Sequence, residues 1–277
     1  MKRFFKSVSL TTMFIVLFGV CMLVVGAALA ICLPNLRPDI SLMLQYFCSM
    51  IAVYNITILI ERMVFKSISP VYNSKVGFDP LSLLVGVVLI FAISIVLLPL
   101  ESIISPDSRL FPEGIFTAIT VIVLAPILEE MIFRARLYNI LSRNTSPLMS
   151  ASLSALTFGV VHLEPIVIIE ALVVGVVLSY YYLSKRSIIT PIILHACNNA
   201  FGYALVVLSY RGESLRTYIA KSADMHLALY FVCLLIVVVG AVVVIRFFIK
   251  EKQRARGVEC QDMETIAEHY DGEQLVE

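Results

Sequence analysis

The chain has 277 residues, of which 60% are hydrophobic and 15% charged, and its formal net charge is +1. A soluble domain is less apolar and more charged. A near-neutral chain with its charges in short connections offers no basic surface for nucleic acid. The class implied is all-α: a polytopic transmembrane helical bundle of about eight spans.

Met1-Lys2-Arg3-Phe4-Phe5-Lys6 opens the chain, followed by an apolar stretch to Leu33. Ala28-Leu29-Ala30 has the small-x-small look of a cleavage site. The run is about twice as long as a secretory h-region, so it reads as a retained first span. The expected spans are 8–33, 40–60, 81–104, 115–133, 147–163, 166–183, 188–208 and 226–249, most of them near the ~20 residues a helix needs to cross a bilayer. Turn-forming residues separate them, as at Pro34-Asn35, Ser105-Pro106-Asp107, Asn144-Thr145-Ser146-Pro147 and the tight Glu164-Pro165. Cys21, Cys32, Cys48, Cys197, Cys233 and Cys260 form no C-x-x-C pair, and most read as small packing residues.

Eight spans put both termini on one side. With both in the cytoplasm, 16 of the 21 Lys and Arg residues face inward, and only Arg37, Arg109, Arg211, Arg216 and Lys221 face outward. The positive-inside rule therefore favours cytoplasmic termini in the cell membrane. The acidic segment after Arg256 reads as a solvated tail.

Charged groups inside apolar spans are costly and mark function by default. Three places qualify: Glu129-Glu130 with Arg134; Phe158 with His162; and His195 with Asn198 and Asn199. Glu130 and Arg134 are four apart on one helix face and can pair. Glu129 lies about 100° round from Glu130 and can point elsewhere. His195 and Asn199 share a face, as do Phe158 and His162, which would stack a ring against the imidazole. Pro126 removes a backbone donor and would kink the helix before the acidic pair.

Height supplies a second argument. The midpoint between 129 and 162 falls in the Asn144–Pro147 turn, so Glu129 and His162 should stand level, facing one another across a hairpin of spans four and five. His195, ten residues past Lys185, should lie roughly 10–15 Å beneath the cytoplasmic surface. That depth sits awkwardly with a His162 beside the Glu164-Pro165 turn. His226 and His269 lie outside these elements. Cys197 points about 200° round the helix from His195, and Glu170 is either interfacial or lines a cavity.

Together the three elements resemble the CAAX-protease and bacteriocin-processing (Abi) family of intramembrane peptidases. That family's pattern is E-E-x-x-x-R, then F-x-x-x-H, then H-x-x-x-N or H-x-x-x-D on separate membrane helices. The resemblance covers roughly 113–208 and implies a division into N-terminal helices (1–110), a four-helix catalytic core (111–208), a last loop and helix (209–250) and a cytoplasmic tail (251–277). It implies hydrolysis of a peptide bond in a hydrophobic or membrane-associated peptide. Glu129 would be the general base, His162 would position water, and His195 and Asn199 would bind the oxyanion. Glu130, Arg134 and Phe158 would support them. A carboxylate in an apolar pocket is a competent base, and donors on one helix face suit a developing negative charge. The expectation is no cofactor, since H-E-x-x-H is missing. The alternative is zinc held by Glu129, His162 and His195 with a water fourth. The competing function is a non-catalytic membrane protein, either an immunity partner for a secreted peptide or a transporter. The internal symmetry of a transporter is not evident.

Overall fold

The computed structural model describes residues 2–72, 79–104, 112, 114–210 and 223–273. The turn at Ser105-Pro106-Asp107 and the basic residues Lys75, Arg109, Arg211, Arg216 and Lys221 lie outside them. The described residues form eight helical rods: α1 (Lys2–Cys32), α2 (Pro38–Phe65), α3 (Pro80–Ile104), α4 (Ile115–Ser142), α5 (Pro147–Val160), α6 (Pro165–Lys185), α7 (Ile189–Tyr210) and α8 (Ala223–Glu273). Six stretches are long and apolar enough to cross a membrane, lying in α1, α2, α3, α4, α6 and α8. The chain is a multi-pass membrane protein of all-α architecture.

Four rods begin on a proline: Pro38, Pro80, Pro147 and Pro165. Proline's fixed φ is preset for a first helical turn, and its missing N–H would be unpaired there in any case. α2 and α6 end on left-handed residues, Lys66 (φ 55°) and Arg186 (φ 50°). Both cations sit at the negative end of a helix dipole.

Three rods depart from the sequence expectation. α4 does not stop near 133 but runs on to Ser142. It contains two π-helical turns, Thr120–Leu124 and Phe133–Tyr138, on either side of the acidic pair. α5 is only 14 residues, about 21 Å at 1.5 Å per residue, and is too short to span ~30 Å of hydrocarbon alone. α8 continues through the tail to Glu273. No proline follows Pro191, the tail is rich in Lys, Glu, Gln, Arg and Ala, which favour helix, and Arg254 pairs with Glu251 at 2.9 Å.

The outward surface is apolar, with Leu23, Ile31, Leu81 and Leu235 exposed, while Glu61, Glu130 and Arg134 are fully buried. This inversion of the soluble pattern is what a lipid solvent requires. One apolar cluster joins α1, α2, α4 and α5 through Phe14, Met50, Val53, Ile132, Phe133 and Phe158. A second joins α3, α6 and α7 through Ile90, Ile93, Leu178 and Leu194. α2 and α4 run parallel. Tyr46 meets Glu129, Tyr54 meets Arg136 and Glu61 meets Arg143, at separations of 83, 82 and 82 residues.

α5 and α6 pack closely because small residues line their seam. A Cβ on Gly159 would lie 2.8 Å from the carbonyl oxygen of Ile168, and one on Gly175 would lie 2.7 Å from the Ala155 Cβ and 3.1 Å from Arg134 Nη2. Gly175→Ala is therefore expected to cost about 1–3 kcal/mol by overpacking, measured by thermal unfolding of the detergent-purified protein. An unchanged midpoint would show that the seam yields freely. Between helix ends, Lys185 donates to Asp79 at 3.2 Å. That ammonium holds the Asp79 carboxyl below the usual carboxylate range. The tie is present at neutral pH and is lost as acid protonates the carboxylate.

Candidate active site

The centre of the site is the middle of α4. Between its two π turns, Glu129, Glu130 and Arg134 all face inward. π turns inside α-helices re-aim side chains and recur at functional sites. Glu129 is 5% exposed, Glu130 and Arg134 0%, and His195 of α7 3%.

Glu130 and Arg134 pair as their spacing predicts, with Nη1 donating to Oε1 at 2.8 Å. Arg134 Nη2 also donates to the Gly175 carbonyl at 3.3 Å, and its guanidinium lies 5.1 Å from the Phe158 ring centroid. One turn of α5 is thus stacked on the cation, which offsets part of its desolvation. Oε2 of Glu130 and Nε of Arg134 have no protein partner.

His195 lies between the two carboxylates. Its Nδ1 is 2.9 Å from Glu130 Oε1 and its Nε2 is 3.4 Å from Glu129 Oε2. Arg134 already donates to that Glu130 oxygen, which is a pure acceptor when ionised, so Nδ1 carries the proton. Nε2 and Glu129 Oε2 then face each other as two acceptors unless one further proton lies between them. The His195 ring also meets Phe158 edge-on, at 5.4 Å and 86°.

Asn199 is placed by a backbone defect. The Ala125 N–H reaches Thr120 in the five-residue π register. The next donor in that register would be Pro126, which has none, and its partner would be Val121. Asn199 Nδ2 donates to the Val121 carbonyl instead, at 2.9 Å. The proline and the asparagine belong to one device that fixes α7 against α4.

His162 stands apart from this cluster. α5 ends at Val160, so His162 is in the following turn and not on a helix face. Its ring is exposed. Nδ1 lies 2.7 Å from the Phe158 carbonyl oxygen and the ring packs edge-on against Phe158 at 4.9 Å. The stacking expected from the F-x-x-x-H spacing is present. The expected facing of Glu129 and His162 is not what the side chains make: Glu129 turns to Tyr46 and His195. The height argument assumed unbroken α-helix on both sides of the turn, and neither side provides it. Among the described residues, no group of three His, Cys, Asp or Glu side chains is gathered to hold a metal ion.

One residue of the site, Tyr46, and one buried carboxylate further along α2, Glu61, escaped the sequence reading. Tyr46 of α2 donates through its phenol to Glu129 Oε1. Glu61 accepts from Arg143 Nη2 at 2.8 Å and from the backbone and hydroxyl of Ser69 at 2.7 and 2.6 Å, with Arg136 at 3.6 Å. Glu61 is a carboxylate in an apolar run, and the cost argument that singled out Glu129 applies to it equally. Tyr46, Met50, Val53, Thr57 and Glu61 repeat at helical spacing, which marks the face of α2 turned to α4. Glu170 accepts from Ser94 of α3 at 3.1 Å, away from the carboxylate pair. Cys197 lines an apolar groove of about 340 Å³ between α4 and α7.

With the geometry in view, the comparison with known families is informative. A family model described as "Type II CAAX prenyl endopeptidase Rce1-like" matches residues 111–201. This core is Rce1-like. The match agrees with the CAAX-protease resemblance and spans α4, α5, α6 and most of α7. No curated protein and no solved structure matches the chain. The Rce1-like segment contains Glu129, Glu130, Arg134, Phe158, His162, His195 and Asn199. Tyr46 and Glu61 come from outside it. Over residues 111–201 the chain is similar to that endopeptidase family.

Proposed function

We propose that this protein hydrolyses a peptide bond of a membrane-associated peptide, with Glu129 as the base that takes a proton from water. The observation that carries this reading is His195 held between Glu129 and Glu130 inside an apolar bundle. Buried carboxylates on either side of an imidazole suit acid–base work on a scissile amide.

In the first step Glu129 removes a proton from water as the oxygen attacks the carbonyl carbon. That proton passes to His195 Nε2, and from there it is given to the leaving amine as the C–N bond breaks. Before release, the Nε2–H is a donor for the oxyanion. Asn199 carries a second N–H on the nitrogen already bound to Val121, and this is the other donor. Glu130 keeps the His195 tautomer fixed, and Arg134 neutralises Glu130. His162, exposed in the turn next to Phe158, guides substrate or water at the mouth. No step requires a cofactor.

The test is cleavage by purified protein in liposomes. The substrate is a prenylated peptide ending in a CAAX sequence, with a non-prenylated version beside it and Glu129→Gln protein as the blank. Cleavage by the wild type that the variant lacks supports the reading. If Glu129→Gln protein retains its biological activity in full, the protein is a non-catalytic partner. We also propose that both termini lie in the cytoplasm, from the 16 of 21 basic residues on that side. Reporter fusions at the two ends should both read cytoplasmic; an external C-terminus would change the number of crossings by one.

A further inference from the structure

Glu129 has two inequivalent oxygens, and the helix that makes them so lies outside the matched segment. The phenol of Tyr46 donates to Oε1. Oε2 faces His195 Nε2 at 3.4 Å. A carboxylate oxygen that already accepts a hydrogen bond is the poorer proton acceptor, and the bond also stops the group from turning about its terminal torsion. The groups facing Glu129 are Tyr46 from α2 and His195 from α7. Glu130 and Arg134 of α4 complete the charged groups around it: Glu130 bonds His195, and Arg134 interacts electrostatically with Glu129 itself.

We propose that Tyr46 is a positioning residue of the peptidase site. It locks the Glu129 carboxylate with Oε2 toward His195, so that proton abstraction runs through the oxygen beside the imidazole. This rests on the peptidase reading above. The placement of α2 does not depend on this one bond. Tyr54–Arg136 and Glu61–Arg143 hold the same parallel register further along the helix, at 3.2 and 2.8 Å. Removing the phenol oxygen therefore deletes the bond without freeing the helix, and Tyr46→Phe is a clean probe.

The experiment uses the full-length protein in liposomes with the peptide above, comparing wild type, Glu129→Gln and Tyr46→Phe. Hydrogen bonds to charged groups are worth enough for kcat to fall roughly 10- to 100-fold in Tyr46→Phe, with KM near the wild-type value. The split between a reduced kcat and an unchanged KM, at a wild-type unfolding midpoint, is the expected signature. A merely structural role would lower kcat only in proportion to the folded fraction, read by thermal unfolding. That result, or wild-type kinetics in Tyr46→Phe, overturns the proposal while active wild type and dead Glu129→Gln leave the peptidase reading standing. If the wild type cleaves nothing, or Glu129→Gln cleaves as well as wild type, the peptidase reading fails and the role of Tyr46 fails with it.

Discussion

Glu129→Gln is expected to lower turnover by about 10²–10⁴-fold, the usual worth of a positioned general base, while the protein still inserts and folds. The amide keeps the size of the carboxylate and still accepts from the Tyr46 phenol, so the bundle loses little packing. It cannot take a proton from water or pass one to His195 Nε2, 3.4 Å from Glu129 Oε2. The measurement is single-turnover cleavage of the peptide beside a thermal unfolding curve. Loss of cleavage with the unfolding midpoint retained is the expected result. Loss of both would make Glu129 a structural residue.

Glu130→Gln should do the reverse, acting on stability first. Arg134 is fully buried and Glu130 is the carboxylate paired with it at 2.8 Å. Removing one partner leaves an uncompensated charge in an apolar interior, at a cost of about 3–5 kcal/mol. Pairing the change with Arg134→Met removes both charges together and should recover much of that loss, since replacing a buried pair with apolar groups is often neutral. Expression level and unfolding midpoint of the single and double variants decide the matter. A double variant no more stable than Glu130→Gln alone would mean that Arg134 acts mainly through its bond to Gly175 and its stacking on Phe158.

Contacts governed by local spacing were legible in the sequence. Four-residue spacing is enough to pair Glu130 with Arg134, because both lie in one rod, and it brings the His162 ring edge-on to Phe158 even though His162 stands in the turn beyond α5. Contacts between rods were legible only as a class. The cost of burying charge groups Glu129, His162 and His195 as one candidate site, yet it does not say that His195 would bridge two carboxylates or that His162 would sit in a turn. Those outcomes depend on the π turns in α4 and on where α5 stops, and neither has a periodicity signal. Tyr46 was missed for a different reason: a tyrosine in an apolar helix costs little, so nothing about its type marks it. The length of the last rod was not legible either, because charge suggests solvation and says nothing of conformation, whereas helix propensity decides whether the rod continues.

The parallel register of α2 and α4 has a consequence for how the protein is made. Glu61 enters the membrane with α2, and its arginines, Arg136 and Arg143, are synthesised about 80 residues later. At roughly 5–20 residues per second, that is a delay of about 4–16 seconds. For those seconds the newborn helix carries that carboxylate without either arginine, and Ser69 is the partner its own segment supplies. Ribosome-bound chains ending before residue 136 should therefore be held by insertion factors or kept close to the interface. Those extended past residue 143 should be released as the charges meet.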